Sequence, residues 1–539
     1  MPSFFKDSTR KINTQQDVKN KTNEQSVQQI KASLSGNLHN IKQKTGNSPD
    51  IIIRELKIGR DSDIRVAIVY VEGIIDNQSI QDYLLQSIMK DNHKEEVNEY
   101  NALDLLSEDM MAIGNISCVT NFDDLFSSLM AGNTLILVDG VEQALSASTK
   151  GGEKRSIAEA TNQMVVRGPK RAFTESLGTN TALVRRIIKN PNLWVESLNI
   201  GRVTKTDVTI MYIHGIANDK VVKEIRQRLQ RIDIDSILDS GYITQLIEDQ
   251  TATPFPTIYS TERPDVVAGN LLEGRVAILV DGTPFALIAP VVFMQFFQSA
   301  EDYYARFDIA TFIRLLRIFM FIISLAAPAT YVAATTFHQE MIPTTLIIAI
   351  AAQRESIPFP AFVEALLIEL VFEILREAGI RLPKATGAAV SIVGALVIGE
   401  AAIQAGVVSP AMVIIESITA LTSFATPSFD MAVSGRLVRF MIMIGAATFG
   451  FYGIILCLLM MLAHLTSLRS FGVPYMAPFA PLIPVSNGDT VVRLPWWALR
   501  QRPRLIGANT MREETNHPHP PASRGMVNRD FQEGNNNET

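Results

Sequence analysis

The chain has 539 residues, a mass of 59.5 kDa and a formal net charge of −6, which leaves room for roughly three or four domains of ordinary size. Charged residues make up 19% of it and the mean hydropathy is +0.15, against about 25% charged in an average soluble domain. Two cysteines, a pI near 5.8 and no long basic block exclude a disulfide-stapled secreted fold and point away from nucleic acid as a partner.

In chain order, residues 1–48 are rich in Asn, Gln, Lys and Ser, with eight Lys/Arg against three Asp/Glu. So little apolar surface does not offset chain entropy, so a disordered basic tail is expected. The N-terminus has no apolar core behind it, so no cleavable signal peptide is expected.

Residues 50–282 contain a duplication. Ile68-Val-Tyr-Val-Glu-Gly73 returns as Ile210-Met-Tyr-Ile-His-Gly215, and Leu137-Val-Asp-Gly140 as Leu279-Val-Asp-Gly282, both offset by 142 residues. A shared offset marks a true repeat. Each copy opens on a β-branched strand ending in Gly and continues with an amphipathic helix (Ile80, Leu84, Leu85 and Ile88; then Val222, Ile225 and Leu229). Each closes on a strand running into Asp-Gly, a tight-turn signal. The expectation is two related α/β subdomains, 50–150 and 205–282. A basic connector, 151–204, joins them and includes a helix with Arg185, Arg186 and Lys189. That helix reads as a solvated face or as a contact surface for neighbouring subunits.

A membrane domain is expected over 283–488. Thr283 to Gln298 reads as a short interfacial helix. Spans are placed near 318–334, 358–375, 385–407, 411–429 and 440–465, because about 20 apolar helical residues cross a core about 30 Å thick. The basic connections at Arg376, Arg381 and Lys384 and at Arg436 and Arg439 are two spans apart, so both are cytoplasmic by the positive-inside rule. The polar tail 489–539, expected to be disordered, is also basic, although a simple count makes the last span exit outward. The uncharged Ser470–Asn487 run is the candidate to dip back, and the number of spans stays open.

No phosphate loop, nucleophile elbow or Cys/His metal spacing is present, so no catalytic, cofactor-binding or metal site is assigned. Two membrane features remain. Gly387, Ser391, Ala395 and Gly399 recur every four residues, a candidate helix-packing stripe. Glu364, Glu369 and Glu373 fall in one apolar segment, where a carboxylate turns to water or the protein interior. They are candidate pore-lining residues, or else acids of a helix lying in the interface.

The connector runs Val165-Val-Arg-Gly-Pro-Lys-Arg-Ala-Phe-Thr-Glu-Ser176 and Thr179-Asn-Thr-Ala-Leu-Val-Arg-Arg-Ile-Ile-Lys189. With Ile357-Pro-Phe-Pro360, Ala388-Ala-Val-Ser-Ile-Val-Gly394, Gly399-Glu-Ala-Ala402 and Ser470-Phe-Gly-Val-Pro-Tyr-Met-Ala-Pro478, it resembles the A subunit of GerA-family spore germinant receptors over roughly 50–490. The resemblance implies a multi-pass protein of the spore inner membrane with its two-part soluble domain in the cytoplasm. It also implies a permease-like B subunit and a lipoprotein C subunit as partners, a homo-oligomer of A subunits, and nutrient-triggered ion release. The stage V sporulation protein AF type shares much of the pattern. A receptor-channel subunit is the leading reading. A secondary transporter and a non-conducting scaffold remain beside it.

Overall fold

The computed structural model describes residues 28–58, 64–76, 115–151, 159–381, 397, 399–484, 488–509, 511 and 512. Two compact units arise: residues 1–155 with 185–195, and 156–184 with 196–539.

In the first, α1 (Leu34–Lys44) precedes β1 (Ile51–Ile58), β2 (Ile64–Val71), β3 (Ile116–Val119), α2 (Phe122–Met130), β4 (Thr134–Val138) and β5 (Ala144–Ala147). The strands form one antiparallel sheet ordered β1-β2-β4-β5-β3. Its core is Val66, Ile68, Tyr70, Ile136, Val138 and Leu145. Residues 34–44, placed in the disordered tail by composition, are helical because Leu34, Leu38 and Ile41 bury one stripe. Each such side chain contributes about 1.5–3 kcal/mol, and an average over 48 mostly polar positions hides it.

The same strand order returns further on, while the first copy's expected helix with Ile80, Leu84, Leu85 and Ile88 lies outside the described residues. After α3 (Leu177–Ile187) come β6 (Leu193–Ile200), β7 (Thr206–Ile213), α4 (Asp219–Gln230), α5 (Ser240–Ile247), β8 (Tyr259–Thr261), α6 (Pro264–Leu272), β9 (Val276–Val280) and β10 (Ala286–Ala289). The sheet is ordered β6-β7-β9-β10-β8. Register repeats with topology: Val66 faces Val138 and Val208 faces Val280, while Ile68 faces Ile136 and Ile210 faces Ile278. The repeat is therefore longer than the motifs that revealed it. It takes in α1 with β1 and α3 with β6, and so part of the expected connector. Arg185 lies inside the first unit rather than in solvent. It is 1% exposed and holds Asp50 through Nε at 2.7 Å and Nη2 at 3.0 Å. Arg186 donates to the carbonyls of Gly73 and Gly151.

The repeated Asp-Gly has a defined task. The backbone N–H of Leu34 donates to Asp139 Oδ1 at 3.0 Å, and that of Leu177 donates to Asp281 Oδ1 at 3.1 Å. Each aspartate thus satisfies an otherwise orphaned donor at the start of a helix. The next residue must turn with φ near +90° (Gly140 φ 90, Gly282 φ 87), which glycine allows without strain. Residues 283–298, expected as an interfacial helix, instead supply β10 and a buried 3-10 turn at Phe293–Phe297. β10, buried at every position, sits between β9 and β8 as β5 sits between β4 and β3.

The helical region follows as α7 (Glu301–Tyr304), α8 (Phe307–Thr336), α9 (Thr344–Arg354), α10 (Ala361–Arg381), α11 (Pro410–Ser423) and α12 (Phe429–Ser467). α8 and α12 are long and apolar enough to cross a membrane by length and composition. The run read as one span over 440–465 reverses at Gly450, whose φ of 59° and ψ of −139° are not helical. Two legs then run antiparallel. A Cβ at Gly453 would lie 1.9 Å from the Gly445 carbonyl, and one at Gly445 would meet Cys457 Sγ at 2.6 Å. At the open end both legs touch one strap of the sheet domain. His464 Nε2 lies 2.8 Å from Thr253 Oγ1, and Ser434 Oγ donates to the Pro254 carbonyl. The strap continues through the carbonyls of Pro256 and Thr257, which accept from Tyr475 Oη and Ser470 Oγ, each at 2.7 Å.

The chain beyond the hairpin therefore returns to the sheet domain. Of the expected disordered tail, residues 489–509, 511 and 512 are described and packed. Arg502 donates to the carbonyls of Leu272 and Met511, and the Ala508 N–H donates to Ile216 O.

Candidate functional site

α10 begins after Pro358 and Pro360 and carries an acid at 364, 369, 373 and 377. The structure turns three of these onto neighbouring helices. Glu364 is fully buried. Its Oε1 accepts from the Ser409 N–H at 2.6 Å and from Ser409 Oγ, and Arg354 Nε approaches Oε2 at 3.6 Å. Ser409 is also the N-cap of α11, where Pro410 fills the first turn.

Glu369 is 2% exposed and accepts from Arg439 Nη1 at 2.6 Å. Arg439 Nε donates to the Ser324 carbonyl of α8 at 2.6 Å, and Glu416 Oε1 of α11 stands 3.9 Å from Arg439 Nη1. One guanidinium thus faces two buried carboxylates, which also share a side-chain hydrogen bond with each other. Glu373 differs: its side chain is 40% exposed, with Arg376 Nη1 at 3.1 Å and Arg436 Nη1 also bonded. Of the candidate pore acids, Glu373 alone keeps an accessible face in the single chain.

Arg436 and Arg439, three apart on α12, match Glu373 and Glu369, four apart on α10. That spacing was visible in the sequence, but which helix faces which was not. Glu416 was visible as an acid inside the apolar 411–429 run, though not its partner; Ser409 carried no signal. Of the small-residue stripe, Gly387, Ser391 and Ala395 lie outside the described residues, and a Cβ added at Gly399 would meet nothing within 4 Å among the described residues.

Comparison with known proteins fixes the family. The model of the Bacillus/Clostridium GerA spore germination protein matches residues 39–505. Spore germination protein KA of Bacillus subtilis (strain 168) is 57% identical over 512 residues, covering 95% of this chain and 94% of that protein. The uncharacterized membrane protein YfkQ of the same organism is 43% identical over 480 residues, covering 88% and 91%. Among solved structures, the N-terminal domain of the A subunit of the Bacillus megaterium spore germinant receptor GerK3 matches at 64% identity. It covers 50% of this chain and 98% of that one, with a TM-score of 0.41. The chain belongs to the GerA spore germination family.

Proposed function

We propose that the chain is the membrane-embedded A subunit of a nutrient-responsive receptor of the spore inner membrane, and that copies of it assemble around an ion pathway that triggers germination. A permease-like B subunit and a lipoprotein C subunit complete the receptor, and the sheet domain lies in the cytoplasm. The observation that carries this reading is the acidic ladder of α10. A ring of subunits that turned Glu373 toward a shared aqueous axis would repeat a carboxylate around it, which favours cations. For Glu364 and Glu369 to line the same path, α10 must rotate away from Ser409 and Arg439. Motion of that kind is what a gate requires.

Several features support the membrane setting. The hairpin at Gly450 supports it, since the chain after it, with Arg493, Arg500, Arg502 and Arg504, comes back to the side of Arg436, as the charge bias expects. YfkQ bears the name of a membrane protein. Small residues at four-residue spacing, Gly387, Ser391, Ala395 and Gly399, suit the close approach of another helix, so Ala395→Leu is expected to disrupt assembly or abundance.

Reconstitution tests the proposal. The purified chain in vesicles should carry monovalent cations down a gradient and migrate as an oligomer. A secondary transporter is the second reading, favoured by the buried carboxylate pair Glu369 and Glu416 beside Arg439. It predicts uptake coupled to a second solute. A monomer without flux would leave the scaffold reading and contradict both.

A further inference from the structure

A cavity of about 330 Å³ lies among the end of the sheet domain, α7 and the C-terminal segment, within the size range of sites for small molecules. Its innermost charged group is Arg275, 7% exposed. Arg275 Nε donates to the Pro290 carbonyl at 3.1 Å and Nη1 to Asn270 Oδ1 at 2.8 Å, leaving Nη2 with no hydrogen-bond partner among the described residues. Arg500 and Arg504 stand at the outer wall. Both are exposed, and neither forms an ion pair with a described residue.

The acids of the cavity are largely occupied. Asp489 accepts from Tyr303 Oη at 3.0 Å and from Arg314 Nη1 at 3.3 Å. Glu273 accepts from Arg512 Nη2 through Oε1, while its buried Oε2 has no donor. Burial raises the pKa of both Glu273 and Asp489, against the pull of Arg512 and Arg314 respectively. The lining is positive by count, with Arg275, Arg500, Arg502, Arg504 and Arg512 against these two acids. Val292, Met294 and Leu499 line part of the wall.

We propose that this cavity binds a small oxyanion that also carries hydroxyl groups, of the class of phosphorylated polyols. The anion meets Arg275 Nη2 and the forks of Arg500 and Arg504, which suit phosphate oxygens. A hydroxyl donates to Glu273 Oε2, and the carbon skeleton lies on Met294 and Leu499. This site is separate from the ion pathway and does not depend on it.

The test is calorimetric titration of the full chain in detergent with glycerol 3-phosphate, against sodium chloride at equal ionic strength. Saturable binding is expected, weakened about tenfold or more in the double variant Arg500→Gln/Arg504→Gln, a loss typical of charge-assisted contacts. Both positions are exposed, so the variant should melt like the parent chain without ligand. Inorganic phosphate should bind more weakly than glycerol 3-phosphate. No saturable heat, equal affinity in the double variant, or the same heat from sodium chloride would overturn the proposal. Equal affinity for inorganic phosphate would overturn its hydroxyl part.

Discussion

Arg439 ties four helices together with one side chain. It lies on α12, bonds Ser324 O on α8 and Glu369 on α10, and faces Glu416 on α11. Removing one partner of a buried pair costs about 3–5 kcal/mol, because the other charge stays buried. Arg439→Ala should therefore lower abundance and melting temperature sharply, and an unchanged melting curve would refute the tie. In the sheet domain, Glu196 accepts from Tyr212 Oη at 2.6 Å and from Arg226 through two bonds of 2.7 Å. Burial raises its pKa, but Arg226 and Tyr212 outweigh burial and hold it below the ordinary carboxylate value. Its stabilisation is thus complete above the unfolded pKa and is lost as pH falls through the lower folded one. Glu196→Gln should flatten the acid limb of the domain's melting profile, which would stay as steep if the pair contributes nothing. The carboxylates of α10 were legible in the sequence. Their guanidinium partners were not, because pairing depends on which helices become neighbours.

Elements show the same division. The 142-residue offset made the duplicated sheets legible, since register-setting residues such as Ile68 and Ile210 must alternate to face one core. α3 was legible as a helix but not as the counterpart of α1, because the two stand 143 rather than 142 residues apart, Leu34 with Leu177 and Asn37 with Asn180. The break in α12 was hidden because Gly450 is one glycine among several in an apolar run without proline. Gly453→Ala would drive a methyl into the Gly445 carbonyl and force the legs apart, so it should lower the abundance of folded chain. Gly399→Ala, with open space around it, should leave that quantity unchanged. The reverse order of effects would contradict the hairpin. Asp281→Ala removes the donor's partner at the start of α3 and should cost about 1 kcal/mol in thermal unfolding. No change would show the contact to be idle.

The helical region, taken whole, sends α8 and the first leg of α12 the same way. Phe337 and His338 at the end of α8 lie against Gly450, and Phe321 lies against Gly435. The second leg then comes back to the sheet domain. Single cysteines in a chain lacking Cys118 and Cys457 should confirm it. Glu340→Cys should be labelled by an impermeant reagent from the outer face, while Asn509→Cys should react only after permeabilisation. The central claim is that α10 serves an ion pathway, and Glu373 exposes it most directly. Monovalent cation release from spores given the nutrient should be slowed in Glu373→Gln at normal protein abundance. Release at the parental rate and abundance would remove Glu373 from the pathway.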